Sequence, residues 1–390
     1  MKKIKKVLDI LFAVCFVAVI FIPFLMLDTE TEDSELENRA LTKWPGLHFD
    51  KLHTEWYGHY VEDRVGFRNT AIVLNADITY EVFGQFSEDL HMFGKKEYIF
   101  PADEGYVQNY QRLNIDENLM DDLMTYLSRT NAYVKENEGL FVFMICPDKA
   151  SVYGEYMPDT IYVDESREST LDMAERKLDR LKIPHVVPHE AFRQIKEDVQ
   201  IYNQKYDCAH WNALGAFYGL SMVDEIIHET YPDIPVMKEE DFGGGAYGGE
   251  EFGKSWGITW GLEFFATSEP ILDCIPNLEC REISAYTAAT DSPYRVDVPV
   301  EPGNNMAYFY NEEAPNDKTV LILHDSFMDN RETWYTYRYR EVYFTSRVNY
   351  THMKDYIDLI RPDVVIFELA ERSFADDLAA YTQLGEISYH

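Results

Sequence analysis

Positive charge is scarce in this chain: its 390 residues carry 35 Lys and Arg against 69 Asp and Glu, a formal net charge of −34. Contact with a phosphate backbone needs clustered cations, and beyond the first few residues the sequence does not show them. Nucleic acid is therefore excluded as a partner, and a neutral or weakly charged one is easier to accommodate. Cysteine is sparse too, with five residues in all. Cys15, Cys146, Cys208, Cys274 and Cys280 are too scattered for a disulfide framework or a zinc site of the CxxC type. Cys274 and Cys280 flank Ile-Pro-Asn-Leu-Glu, where Pro and Asn favour a reversal, so an oxidising exterior would permit a bridge. Two free thiols are the alternative, and the sequence leaves both open.

What is there starts at the N-terminus. Lys2, Lys3, Lys5 and Lys6 precede an apolar run from about Ile10 to Leu27, and Asp28, Glu30, Glu32 and Asp33 follow it. A basic flank, a segment long enough to span a bilayer and an acidic flank predict an anchor with the rest of the chain outside. The run ends Phe-Ile-Pro-Phe-Leu-Met-Leu without a small-x-small cleavage site, which favours an uncleaved anchor over a removed signal peptide. Cys15 lacks the small residue that precedes a lipidated cysteine and reads as part of the membrane segment.

With 46% hydrophobic and 15% aromatic residues the chain can fill a core, either one large α/β domain or two smaller ones. Residues 1–28 read as basic flank and anchor, and 29–70 as an acidic stalk followed by a packing collar of aromatics interleaved with charges. Residues 71–390 read as the main domain, with a Gly- and aromatic-rich insertion at about 238–282. Helical spacing over 118–137 precedes the apolar strand Leu140–Ile145; helices over about 166–182 and 190–199 enclose a strand at His185–Val187, and another helix runs from Leu214 to about Thr230. Residues 283–300 look β-rich, and Thr319–Leu323, Tyr343–Phe344 and Val364–Phe367 supply further strands. The alternation predicts a parallel sheet covered on both faces.

Two short motifs carry the chemistry. In Asp207-Cys-Ala-His210-Trp-Asn the carboxylate can reach around a turn to the imidazole Nδ1–H, leaving Nε2 as a base. His324-Asp325-Ser326-Phe327 falls at the carboxyl end of a buried strand, where open α/β sheets place ligands and where a turn exposes a hydroxyl. Nucleophile, base and orienting acid are the parts of acyl transfer through a serine ester. Each motif alone is also an ordinary helix cap. His324 is a poor base for its neighbour, because side chains along a strand end need not converge. Metal chemistry on His210, Asp207 and Asp325 is disfavoured: no second histidine lies within a turn, and His185 and His189 are separated by Pro188.

Lys149, Tyr153 and the pair Glu371–Arg372 read as structural, salt-bridged residues. Gly248–Ser255 matches the letters of a phosphate-binding loop without the strand before it or the helix after it, so nucleotide binding is not expected. That segment reads either as a substrate-side flap or as a plain surface insertion. Its aromatics Tyr247, Phe252, Trp256 and Trp260 suit a saccharide platform as well as packing; Trp211 is a further candidate for substrate contact.

Taken together, Asp207–Ala216 and Val320–Phe327 resemble the SGNH-type domain of the alginate O-acetyltransferase family, the AlgX/AlgJ-like and DHHW-type proteins. Supporting blocks are Glu37–Arg39, Asp63–Arg68, Pro147–Pro158 and Arg361–Arg372. The resemblance implies a three-layer α/β/α domain with a mostly parallel sheet and a permuted motif order, the Asp/His block preceding the serine. It also implies Ser326 as nucleophile, His210 as base and Asp207 as its orienting acid. Many relatives place the histidine two residues after the aspartate, whereas His210 stands three after Asp207. The implied activity is O-acetyl transfer to a cell-surface or secreted polysaccharide, with the acyl group supplied by a membrane-bound O-acyltransferase of the MBOAT class. No metal and no dissolved cofactor is needed. An SGNH-type acetyl esterase or a non-catalytic polysaccharide scaffold would carry the same motifs.

Overall fold

The computed structural model describes residues 2–34, 39–48, 51–205, 207–238, 241, 250–252, 270–272, 306–312, 314–329, 331, 333–374 and 384–389. The chain divides into two compact units, 1–89 with 253–268, and 90–252 with 269–390. The division falls at Asp89, whereas the composition changes near residue 70.

In the first unit, helix α1 (Lys2–Leu25) contains a 22-residue stretch of mean hydropathy 2.8 that buries nothing inside the protein. It is long and apolar enough to cross a bilayer. Short strands β1 (Asp33–Ser34) and β2 (Arg39–Ala40) pair antiparallel, and helices α2 (Lys51–Arg64) and α3 (Arg68–Phe83) follow. The break between these helices needs Gly66. Its N–H donates to Pro23 O at 2.9 Å, and a Cβ there would lie 2.5 Å from Met26 O. Phe67 then turns through φ 62°, which starts the second helix. The acidic segment expected as a stalk is tied to α2: Arg39 grips both oxygens of Asp63, whose second oxygen also accepts from Thr42 N at 2.7 Å. Arg39 holds the Asp63 carboxyl well below the usual carboxylate range.

The second unit opens with the hairpin β3 (His91–Phe93) and β4 (Ile99–Pro101). Helices α4 (Glu104–Tyr110) and α5 (Glu117–Glu136) lead to strand β5 (Leu140–Cys146), after which come α6 (Lys149–Tyr153), α7 (Thr170–Leu181), strand β6 (His185–Val186), α8 (His189–Ile195) and α9 (Ala213–Thr230). Strands β7 (Glu250–Phe252) and β8 (Pro270–Leu272) pair with each other. The chain ends with β9 (Ala307–Tyr310), β10 (Thr319–His324), α10 (Thr333–Thr336), β11 (Glu341–Ser346), α11 (Met353–Ile360) and β12 (Val364–Ala370). Helix α7 begins four residues later than its periodicity suggests, because Ser169 caps it by accepting from Asp172 N.

Six strands form one sheet in the order β6-β5-β12-β10-β11-β9, parallel throughout except for the β11–β9 edge. All seven residues of β5 and of β12 are buried, as expected for parallel strands covered on both sides. On one face Phe141, Phe143, Leu321, Leu323, Val365 and Phe367 pack with Leu123, Leu127, Leu178 and Ile357 of α5, α7 and α11. On the other, Val142, Met144, Val320, Ile322 and Ile366 meet Phe217, Leu220, Val223 and Ile227 of α9. Each such side chain contributes roughly 1.5–3 kcal/mol on burial. Because β5, β10, β11 and β12 run the same way, the chain leaves Cys146, His324, Ser346 and Ala370 at one edge of the sheet. The carboxyl edge is where a doubly covered sheet opens to ligands.

The β-rich expectation at 283–300, the Gly248–Ser255 motif as a whole, and Cys274 and Cys280 lie outside the described residues.

Candidate active site

Four chain segments meet at that edge. Asp325, the residue after β10, accepts from Phe327 N at 2.9 Å and Ala370 N at 2.6 Å, while its own N–H donates to Glu368 Oε2 at 2.8 Å. These three bonds tie the end of β10 to β12 and fix the tight turn Ser326–Met328. Ser326 is exposed on this turn, and its backbone N–H has no acceptor among the described residues. Beneath it, burial and the neighbouring Asp325 push the Glu368 carboxyl well above the usual carboxylate range.

The loop before α9 supplies the imidazole. Asn212 caps the helix by accepting from Gly215 N at 3.0 Å, and its Nδ2 donates to Gln200 O at 2.8 Å. Gly215 is required here, since a Cβ would stand 2.4 Å from Ile201 O. Trp211 is buried under the Ser326–Met328 turn, its Nε1–H donating to Phe327 O at 2.6 Å and its ring edge-on to Phe327 at 5.4 Å. This corrects Trp211 as a substrate-contact candidate: an indole 5% exposed supports the site from inside.

Asp207 folds back on its own loop, accepting from Ala209 N at 2.7 Å and His210 N at 2.8 Å. His210 Nδ1 lies 3.1 and 3.0 Å from its two carboxylate oxygens, and His210 Nε2 lies 2.8 Å from Ser326 Oγ. The three-residue gap therefore closes without strain. Burial opposes ionisation of Asp207, but His210 and the two backbone N–H groups outweigh it and hold the carboxyl well below the usual range. An ionised Asp207 can only accept, which makes Nδ1 the donor and leaves the Nε2 lone pair facing the serine hydroxyl.

Three further residues complete the site, all of which the sequence alone reads as structural. Lys149, expected to be solvated or salt-bridged, is fully buried and donates to Ile99 O at 2.9 Å, Gln204 O at 3.1 Å and Asp207 O at 2.8 Å. Glu371 and Arg372, expected to pair, point apart. Glu371 accepts from Asn109 Nδ2, Ser151 Oγ and Asp148 N at 2.9 to 3.0 Å. Arg372 donates through Nη1 to Asp148 at 2.8 Å, and its Nη2 lies 2.9 Å from His210 Nε2. Its guanidinium also covers the Phe327 ring at 4.9 Å. Burial works against the Arg372 charge, yet Asp148 and Asp325 keep it firmly protonated; burial raises the Asp148 carboxyl against the pull of Arg372. A tally of charged residues just past the ends of β5 and β12 would have found Asp148 and Arg372.

His324 turns away, its Nδ1 against Asp325 O at 2.8 Å and its ring on Phe344 at 4.5 Å. Asp325, with both oxygens on backbone N–H groups, is not turned toward Asp207 and His210 as a metal ligand would be. Tyr247, Trp256 and Trp260 lie outside the described residues, as does the Phe252 side chain.

No family model matches the chain, and no curated protein matches it. Among solved structures its fold is similar to that of Bacillus cereus PatB1 carrying a sulfonyl adduct, with a TM-score of 0.53 and 15% identity over 76% of this chain and 97% of that one. A second structure of Bacillus cereus PatB1 gives 0.51 and 14% over 76% and 99%. The O-acetyltransferase domain of Pseudomonas putida AlgJ gives 0.49 and 14% over 76% and 98%. At such identities the likeness to PatB1 establishes an α/β fold in common.

Proposed function

We propose that this chain is a membrane-anchored O-acyltransferase that carries an acetyl group through Ser326 to hydroxyls of a cell-surface or secreted polysaccharide. The observation that carries the proposal is the continuous line Asp207–His210–Ser326, with Nε2 2.8 Å from an exposed hydroxyl. In the first half-reaction Oγ attacks the donor carbonyl as Nε2 takes its proton, and the Ser326 N–H donates to the developing oxyanion. Collapse expels the donor oxygen, which recovers the proton from Nε2. A sugar hydroxyl then repeats the sequence on the acyl-serine, giving a ping-pong scheme. Asp207 holds the tautomer and stabilises the imidazolium throughout.

A sulfonyl adduct, as carried by PatB1, is the product expected when an activated nucleophile meets a sulfonylating reagent, and its presence on a protein of this fold supports the same chemistry here. The lysines in the first turns of α1, with the acidic residues that follow the helix, favour an anchor with its N-terminus cytoplasmic and the site outside the membrane. No acyl-CoA pool exists there, so a membrane-bound O-acyltransferase of the MBOAT class is the proposed donor partner. An esterase is the second reading, because Ser326 is exposed and water can reach an acyl-serine.

The test is turnover of 4-nitrophenyl acetate by the full chain in detergent, with and without an oligosaccharide acceptor. Transfer predicts slow turnover accelerated by acceptor, with acetylated sugar formed. Equal rates and no acetylated sugar would assign an esterase. Failure to acylate or sulfonylate Ser326 would leave a polysaccharide-binding scaffold. The variant Ser326→Ala is expected to fold and to lose both half-reactions; retained activity would sink the assignment.

A further inference from the structure

His210 Nε2 has two donors and one lone pair. Ser326 Oγ stands 2.8 Å away and Arg372 Nη2 2.9 Å away, while Nδ1–H is committed to Asp207. A neutral imidazole nitrogen accepts one full hydrogen bond, so the guanidinium and the hydroxyl compete for it. Arg372 is not there for want of another place: Nη1 is anchored on Asp148 at 2.8 Å and the plane lies over Phe327. Nη2 and Ser326 Oγ are thus held on the same imidazole atom, and the Ser326 N–H has no acceptor among the described residues.

We propose that Arg372 is a catalytic donor that exchanges partners during acyl transfer, holding His210 Nε2 at rest and the oxyanion in the tetrahedral intermediate. The proposal rests on the acyl-serine reading above. When the hydroxyl proton moves to Nε2, that nitrogen becomes a donor, and its bond with Arg372 is replaced by repulsion between two cations. At that moment the Oγ–C bond has formed and the carbonyl π pair has moved onto oxygen. The freed Nη2–H turns to that oxygen and joins the Ser326 N–H, and no proton leaves the guanidinium. On collapse the C–O bond to the leaving group breaks, the departing oxygen takes the proton from Nε2, and Nη2 returns to the lone pair. A donor that couples proton transfer to oxyanion stabilisation acts only in the transition state, where binding accelerates the step.

The groups facing His210 are Asp207 on its own loop, Ser326 and Phe327 after β10, Arg372 after β12 and, through Arg372, Asp148 after β5. Removing Arg372 takes away the sole cation among them.

The experiment follows the acylation burst of 4-nitrophenyl acetate on the full chain in detergent for wild type, Arg372→Met, Arg372→Lys and Arg372→Ala. The expected result is a fall of about 10²–10³ in the acylation rate of Arg372→Met, typical of a lost oxyanion donor, with the KM nearly unchanged. Arg372→Lys is expected to recover part of it, and added guanidinium to rescue Arg372→Ala. A purely structural role would give no rescue by guanidinium. If Arg372→Met does not fold, the double variant Arg372→Met/Asp148→Asn, which empties the pocket of both charges, is measured instead. Acylation within threefold of wild type, or loss without rescue, overturns the inference while leaving Ser326 as nucleophile. A wild type that never acylates Ser326 overturns both.

Discussion

Among the described residues two arginine–aspartate pairs are set into the second unit, and they are built differently. Arg338 and Asp224 are both sealed from solvent; Asp224 also accepts from Met237 N at 3.1 Å, and the guanidinium donates to Trp334 O and Pro235 O among the rings of Tyr335, Tyr337 and Tyr339. Together those contacts tie α9, the chain just after it and the segment before β11 to one another. Arg372 and Asp148 form a pair of similar geometry, but one end of the guanidinium is spent on a titratable imidazole and its side chain remains 19% exposed. A charge whose partners are all fixed groups specifies structure. The same charge with one partner able to change protonation state is equipped for chemistry.

Four changes would break or sharpen that contrast. The largest effect is expected at Asp207: Asp207→Asn should lower turnover by about 10⁴, since an amide permits the wrong tautomer of the base. A rate near wild type would mean that another group orients His210. Next, Asp224→Ala should cost about 3–5 kcal/mol in denaturant unfolding by stranding the buried Arg338 charge, while turnover per folded molecule stays unchanged. A loss below about 1 kcal/mol, set against the range for broken buried pairs, would erase the distinction from the other side. Asp148→Asn keeps the shape and removes the charge, so it should lower turnover by roughly tenfold, the scale of one weakened charged hydrogen bond, with little change in unfolding.

The smallest effect belongs to Glu368→Gln. Because burial and Asp325 disfavour the Glu368 carboxylate, a neutral amide of the same shape is a close substitute, and stability at pH 7 should fall by less than about 1 kcal/mol, as for an isosteric swap. The pH dependence is the sharper readout. A carboxyl raised in the folded protein binds its proton there while the unfolded chain has already released it, so it lowers stability as pH rises above the ordinary glutamate range. Unfolding free energies measured from pH 4 to pH 8 should therefore decline more steeply for wild type than for Glu368→Gln. Parallel curves would show that Glu368 is ionised in the fold.

Much of this architecture is legible in the sequence because it follows from pattern. Leu140–Cys146 and Val364–Ala370 are apolar without alternation, which is what strands buried on two faces look like, and α5 shows its stripe through Leu119, Leu123 and Leu127. Local chemistry is legible as well: Asp207 and His210 are three apart, and a turn brings them together whatever the rest does. Arg372 is different. It lies 162 residues from His210 and 224 from Asp148, and only the register of β12 between β5 and β10 sets these neighbours side by side. Lys149 likewise looks like any lysine after a strand until three loops close on it. Helix α3 lies beyond the aromatic collar where the pattern weakens: it buries Ala76 alone and has almost no amphipathic stripe, so periodicity gives it no signal.

The placement of that lysine has a consequence for how the protein comes to be active. Its ammonium gathers the carbonyls of Ile99, Gln204 and Asp207 from segments about fifty to sixty residues away on either side. Such contacts close loops far longer than a helical turn, so they follow the local helices. The loop that presents Asp207 and His210 is therefore set only when the β3–β4 hairpin has docked. Hairpin and loop stand or fall together, so whatever loosens the hairpin also releases the carboxylate that holds the imidazole.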